Sequence, residues 1–173
     1  ERYRDRLRTA LRKLIGPKYR VLMADSEDAT QDAILSALRR LHQFEYRGEG
    51  SFLRSPSHVV ADSRGGLYFT DPGYARIRNP IGNLHYISPE GDVLTVARHL
   101  AFPEGLALSS DGSRLLVVET QLNRVIEFPV LAPGKLGTSR VLARLPKKNS
   151  DDPDGFAHAL ALDKLGRVFV AHG

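Results

Sequence analysis

Four polar side chains that could bind a metal or move a proton stand at the starts of three similar segments of this sequence. Ser57 and His58 open the first segment, Glu104 opens the second and His158 opens the third. Converging oxygen and nitrogen side chains can hold a divalent cation, and a neighbouring carboxylate or imidazole can take a proton from water. This chemistry requires a fold that brings the segment starts together.

The three segments are copies of an internal repeat that start 47 and 54 residues apart. Each copy has a polar residue, a short apolar stretch, a turn that ends in Gly and a second apolar stretch that ends in a polar residue. The turns suit tight hairpins, in which an Asp bonds the backbone and Gly supplies a positive φ. Their Asp residues, interpreted as turn residues, are Asp62, Asp111 and Asp163.

Two more strands are predicted after each of the first two copies, at residues 83–88, 93–98, 124–130 and 140–145. Four strands in a unit of about 45 to 50 residues are typical of a β-propeller blade. An immunoglobulin-like sandwich is a weaker interpretation, because its strands do not repeat at this period. The predicted blades cover 52–100, 101–146 and 147–173, the last one incomplete.

In a propeller, the innermost strand of every blade borders the central channel. Ser57, Glu104 and His158 are therefore expected to face one another at one mouth of that channel, with His58 beside them. The polar residues that end the second strands lie one strand further out. We interpret this column, formed by Asp71, Glu119 and His172, as turn and inter-blade hydrogen bonding.

Residues 1–46 have a different, mostly helical pattern. A basic amphipathic helix is predicted within residues 2–15, and a second helix is predicted from a cap at Asp28 to about Phe44. Residues 1–20 hold eight basic groups against two acidic ones, whereas the whole chain has 25 Lys+Arg and 20 Asp+Glu, a net charge of +5. The excess belongs to this one segment and is interpreted as a solvated helix face, so a nucleic-acid partner is not expected.

The composition of the 173 residues excludes several classes of protein. There is no Cys, so thiolate metal sites, disulfide frameworks and Cys nucleophiles are excluded. No apolar run is long enough to span a bilayer, and no signal-peptide pattern is present. A cytoplasmic location is the resulting expectation, although residue 1 is Glu and the natural N-terminus is expected to lie further upstream.

Several stretches between residues 52 and 173 resemble a known family. They are Ser-Pro-Ser-His-Val-Val-Ala-Asp at 55–62, Leu-Tyr-Phe-Thr-Asp-Pro-Gly-Tyr at 67–74, Phe-Pro-Glu-Gly-Leu-Ala-Leu-Ser-Ser-Asp-Gly at 102–112, Val-Glu-Thr at 118–120 and Pro-Asp-Gly at 153–155. Together they resemble the SMP-30/gluconolactonase family of calcium-dependent lactonases, which are six-bladed propellers. Phe-Pro-x-Gly, Val-Glu-Thr and Leu-Gly-Thr-Ser stretches are also similar to strictosidine-synthase-like proteins.

The resemblance implies roles for residues at the expected mouth. It places metal ligands at Glu104 and at Asp154 or His158, catalytic groups at Asp154, His158 and His58, and substrate-binding groups at Ser57 and His58. The family usually has Asn where this chain has Ser57 and Glu104. Calcium is the implied cofactor, and zinc is the alternative, because an imidazole suits a softer metal.

The expectation is therefore a mainly β protein with about two and a half four-stranded blades of a six-bladed type, preceded by a short helical segment. Its expected function is metal-assisted hydrolysis of a sugar-like lactone. A non-catalytic propeller that binds a partner and a strictosidine-synthase-like enzyme remain alternatives. Because open propeller edges expose unpaired strands, the remaining blades are expected from absent chain or from self-association.

Overall fold

The computed structural model describes residues 54–89, 92–146 and 156–172, and within these ranges the protein is built from antiparallel strands. The two helices predicted within residues 1–46 lie outside the described residues. The strands are β1 (Val59–Ala61), β2 (Leu67–Asp71), β3 (Gly82–Ile87), β4 (Val93–Leu100), β5 (Pro103–Leu108), β6 (Arg114–Glu119), β7 (Arg124–Ala132), β8 (Lys135–Leu136), β9 (Arg140–Arg144), β10 (Ala157–Leu162) and β11 (Val168–His172). A single 3-10 turn at Thr120–Leu122 follows β6 in the described part.

The strands form three sheets that follow one another along the chain. The first has the order β1-β2-β3-β4, the second has β5-β6-β7 with both β8 and β9 on β7, and the third is the pair β10-β11. The third and fourth strands predicted for each of the first two copies are confirmed within a few residues. The sequence did not predict β8, which forms because β7 runs past residue 130 and turns back at Gly134.

Two apolar layers lie between neighbouring sheets. Since side chains alternate between the two faces of a strand, each sheet can pack on both sides. The layer between the first and second sheets contains Tyr68, Leu84, Tyr86, Leu100, Leu106, Leu115, Val117, Ile126 and Phe128. The layer between the second and third contains Leu116, Val118, Val125 and Ala157, with Leu160, Leu162, Val168 and Val170 against it. Burial of these faces arranges the sheets side by side, with β5 next to both β1 and β10.

The β7–β8 hairpin joins the second sheet to the first. The Gly134 N–H donates to the Tyr68 hydroxyl at 3.0 Å. Within the first sheet, the Tyr86 hydroxyl donates to Asp62 Oδ2 at 2.7 Å. A Cβ at Gly134 would lie 2.6 Å from Tyr86 Cδ1, and its φ is +69°. Glycine is therefore required at this turn for both its conformation and its close approach to the ring.

The hairpin turns confirm the interpretation of the three Asp residues. Asp62 Oδ1 accepts the N–H groups of Arg64 and Gly66, and Asp163 Oδ1 accepts those of Leu165 and Arg167. In the second copy Ser109 occupies the first turn position, and Asp111 Oδ1 accepts its hydroxyl at 2.5 Å. These hydrogen bonds, with those from Ser113, lower the pKa of Asp111 to about 2.

The strand-end column also forms the predicted hydrogen bonds. Asp71 accepts the backbone N–H groups of Arg54 and Ser55 at 2.9 and 2.6 Å, which holds the chain before β1. Glu119 accepts the N–H of Ala101 at 2.9 Å, which holds the chain before β5. Each of these carboxylates therefore fixes the segment that leads into an innermost strand.

A buried histidine in the first sheet makes stability depend on pH. The His85 side chain is fully buried, its ring stacks on Phe69 at 5.0 Å, and its Nδ1 lies 3.2 Å from Thr95 Oγ1. Its Nε2 has no hydrogen-bond partner among the described residues and lies 3.9 Å from Asp71 Oδ2. Burial, with a smaller effect of Arg98, lowers the pKa of His85 to about 4.

We therefore expect the free energy of unfolding to fall as the pH drops from about 6.5 to about 4. The unfolded chain binds a proton at His85 in this range and the folded chain does not, so acidification favours unfolding by about 3 kcal/mol at the lower limit. Urea denaturation at several pH values measures the slope. His85→Gln should flatten it, whereas His99→Asn, at an exposed histidine, should not; equal slopes in the two variants would contradict the assignment.

The outer face of the third sheet is exposed. Phe169 lies at the repeat position of Tyr68 and Leu116, which are fully buried against the following sheet, yet Phe169 is 56% exposed. Leu165, in the turn before β11, is exposed as well.

In the described part of the chain, no helix is long and apolar enough to cross a membrane.

Candidate functional site

The polar residues that open the three copies lie where the innermost strands begin, and in two of the three copies the strand pairing is irregular at that point. In β10 the register shifts between Ala157 and Ala159, so His158 is the extra residue. In β5 it shifts between Pro103 and Leu106, a stretch that contains Glu104. Bulges re-aim side chains, and here they occur at the residues that the sequence singled out.

A close approach of β5 and β10 brings two of these residues together. A Cβ at Gly105 would lie 2.8 Å from the Ala159 Cα and 2.9 Å from both the His158 carbonyl oxygen and the Leu160 nitrogen. Only glycine avoids these backbone contacts. Its absence of a side chain allows the neighbouring Glu104 to reach His158.

Glu104 and His158 form a carboxylate–imidazole pair. Glu104 Oε2 lies 2.8 Å from His158 Nδ1 and accepts the Thr120 hydroxyl at 2.9 Å. The Glu104 side chain is 19% exposed and that of His158 is 53% exposed. The acid is held within the site, while the imidazole faces solvent.

Ser57 and His58 form a second polar pair beside the first. Ser57 Oγ lies 3.1 Å from His58 Nδ1. The Thr70 hydroxyl accepts the His58 N–H at 3.0 Å and donates to the Glu104 carbonyl oxygen at 2.9 Å. Thr70 thus joins the start of β1 to the start of β5. We call Ser57, His58, Glu104 and His158 the mouth cluster.

His58 is disposed to be neutral at neutral pH. Burial lowers its pKa below the usual 6.5, the negative charge of Glu104 acts in the opposite direction, and His158 lowers it further. A neutral imidazole can accept one hydrogen bond and donate another.

The geometry of Glu104 and His158 permits proton transfer. A carboxylate that accepts from Nδ1–H leaves Nε2 of the neutral ring as an acceptor. This arrangement makes the outward-facing nitrogen of His158 a base for a water molecule, with Glu104 holding the ring and stabilising the imidazolium that results.

The structure places four of the five residues predicted for the site at the starts of the inner strands, where Glu104 and His158 are in direct contact and Thr70 links the backbone of His58 to that of Glu104. The fifth, Asp154, lies outside the described residues. Sequence reasoning missed Thr70 and Thr120, whose hydroxyl groups hold His58 and Glu104. Their positions at the ends of β2 and β6, next to the strand-end column, were the available signal.

The described residues do not fit a calcium ion. Calcium takes six to eight oxygen ligands, whereas the mouth cluster offers one carboxylate, and its Oε2 already has two hydrogen-bond partners. Within the described ranges, no group of three or more His, Asp or Glu side chains is arranged to hold a metal ion. No step of the chemistry below is assigned to a metal.

The side-by-side antiparallel sheets, with polar groups at the starts of their inner strands, define a propeller-like protein. The chain belongs to the SMP-30/Gluconolactonase/LRE-like family, whose model matches residues 14–173. The family match starts earlier than the resemblance seen in the sequence, which began at about residue 52.

Curated relatives agree with this assignment, and solved structures share the fold. A stretch of 69 residues, 39% of this chain, is 42% identical to the lactonase drp35 of Staphylococcus aureus (strain USA300), and covers 21% of that protein. A gluconolactonase from Xanthomonas campestris superposes with a TM-score of 0.59 at 24% identity, over 74% of this chain and 44% of its own. Regucalcin from Agrobacterium tumefaciens, described as a calcium-binding protein, gives a TM-score of 0.51 at 22% identity, over 63% and 35% of the two chains. The chain therefore spans less than half the length of these proteins.

Proposed function

We propose that the protein hydrolyses a sugar-like lactone at the mouth cluster. The observation that carries the proposal is the Glu104–His158 pair, in which a carboxylate 2.8 Å from Nδ1 directs the other ring nitrogen outward. Membership of a family that includes gluconolactonases supports the choice of a lactone.

Hydrolysis requires water to attack the lactone carbonyl carbon and the ring oxygen to leave. His158 Nε2 takes a proton from the attacking water, and Glu104 stabilises the resulting imidazolium. The same imidazolium can then return the proton to the departing ring oxygen, so that the histidine is restored. Thr120 keeps the carboxylate in place through its hydrogen bond to Oε2.

Ser57 and His58 are assigned to substrate binding. Both are half-buried at the mouth, and both can donate and accept hydrogen bonds. They suit the hydroxyl groups of a sugar-like ring, and His58 is near enough to Glu104 to be affected by its charge. A catalytic role for His58 and for Asp154, expected from the resemblance, remains part of the proposal.

The proposal also covers a further sheet, the cellular location and a metal ion. The exposed Phe169 face supports packing of a further sheet, from another part of the protein or from a second copy. The cytoplasmic location stays a prediction. Assistance by calcium or zinc also stays a prediction, with Glu104, Asp154 and His158 as the proposed ligands; since the described residues alone do not fit a calcium ion, it requires oxygen ligands from outside them.

The proposed function is tested with five- and six-membered aldonolactones, whose hydrolysis is measured through the proton that it releases. We expect the rate of hydrolysis to be well above that of spontaneous ring opening. A rate no higher than the spontaneous one would contradict the proposal. Parallel reactions are run after treatment with EDTA and then with added Ca²⁺ or Zn²⁺. They show whether a metal ion is required and which ion serves. Activity lost on chelation and restored by one ion would support the metal-assisted form, whereas unchanged activity would assign the reaction to Glu104 and His158 alone.

A further inference from the structure

An arginine with no carboxylate partner among the described residues lies at the end of the first sheet that carries Ser57 and His58. Arg76 lies in the loop that follows β2, at the end of the first sheet where β1 begins. Its guanidinium carbon lies 5.9 Å from the centroid of the Phe102 ring, and its Nη1 donates to its own neighbour, the Ala75 carbonyl, at 2.9 Å. In the second sheet, by contrast, arginines bind buried carboxylates, as in Arg124–Glu119 and Arg140–Glu127.

Phe102 connects Arg76 to the residues that hold the Glu104 carboxylate. The Phe102 carbonyl accepts the Thr120 N–H at 3.1 Å, and the Thr120 hydroxyl in turn donates to Glu104 Oε2. Phe102 also comes only two residues before Glu104. The arginine is therefore held against the same group of residues that holds the acid.

The loop that carries Arg76 is fixed rather than open. Arg76 and Asn79 exchange both backbone hydrogen bonds, at 2.9 and 3.0 Å, which closes a narrow hairpin. The φ of Phe102 is +60°, a backbone conformation that favours glycine and that an aromatic residue rarely adopts. Such outliers are found where a local geometry serves a function.

The exposed guanidinium keeps most of its donors available. One of its five N–H groups is used within the described residues, and among them no carboxylate neutralises its charge. A guanidinium binds carboxylate or phosphate oxygens through paired, charge-assisted hydrogen bonds. Arg78, two residues further on and also exposed, adds a second positive charge to the loop.

We propose that Arg76 is a specificity-determining residue that selects lactones bearing an oxyanion, a carboxylate or a phosphate, at the end remote from the carbonyl. This inference rests on the proposed function, because it names the substrate class of the same site. Arg76 binds the oxyanion while the lactone carbonyl lies at Glu104 and His158.

Three lactones of the same ring test it: a neutral hexono-1,5-lactone, a hexaric acid monolactone with a terminal carboxylate, and a hexonolactone 6-phosphate. We expect higher kcat/KM for the charged substrates, and a preference that shrinks at high salt. Arg76→Gln should reduce kcat/KM for the charged substrates about tenfold or more and leave the neutral one within about twofold. Arg64→Gln, at the opposite end of the same sheet, removes the same charge and should change neither value.

The outcomes separate the two proposals. Turnover of all three lactones with no preference for charge, or equal losses in both variants, would overturn the role of Arg76 and leave the lactonase function intact. If no lactone is turned over, the lactonase function fails, and calorimetry with the open hexarate dianion still decides the oxyanion site. Binding that Arg76→Gln abolishes and Arg64→Gln preserves supports the site, and absence of binding overturns it.

Discussion

Replacing Glu104 by Gln is expected to lower kcat/KM for lactone hydrolysis by about a hundredfold or more, which corresponds to about 3 kcal/mol of transition-state stabilisation. The amide keeps the shape of the side chain but has no charge to stabilise the imidazolium of His158. It also presents an NH₂ group as readily as an oxygen to His158 Nδ1, so the ring can adopt the wrong tautomer. Steady-state kinetics with the best lactone substrate measures the effect.

Two further variants make this result specific. Asp92→Asn removes a negative charge from an exposed turn of the first sheet and should leave kcat/KM unchanged. If Glu104 and His158 act as one unit, the double variant Glu104→Gln/His158→Ala should lose little more than either single variant. Full activity of Glu104→Gln would contradict the assigned mechanism, and strictly additive losses would show that the two residues act separately.

Replacing Glu119 by Ala is expected to lower the free energy of unfolding by about 3 to 5 kcal/mol, since it breaks a buried ion pair. The Glu119 side chain is 3% exposed, and its Oε2 lies 2.6 Å from Arg124 Nη2. Its Oε1 is the acceptor for the buried Ala101 N–H. The alanine variant would leave both the guanidinium and that N–H without this partner. Urea or guanidinium denaturation measures the loss.

A second ion pair provides the control for Glu119. Arg140 binds Glu127 at 2.8 Å, but its side chain is 67% exposed, and Arg114 binds the same carboxylate. Arg140→Ala should therefore cost no more than about 1 kcal/mol. Similar losses for Glu119→Ala and Arg140→Ala would contradict the structural role given to the strand-end column.

Much of the fold was predictable because its signals are local. Short apolar stretches define strands, and turns with an Asp and a closing Gly define hairpins, so the repeat can be located without knowing any long-range contact. The same repeat placed Ser57, Glu104 and His158 at equivalent positions. Strand β8 was missed because it is only two residues long and its hairpin at Gly134 packs on Tyr68 and Tyr86 of another sheet.

The sequence by itself determined the strand order, the turns and the expectation that the starts of the inner strands meet. Only the tertiary structure decided which atoms meet. The 2.8 Å contact between Glu104 and His158 depends on bulges in two strands and on the close approach at Gly105. Arg76 likewise reaches Phe102 only because separate sheets pack together. Strand periodicity is a property of neighbouring residues, whereas these distances depend on how the sheets pack against one another.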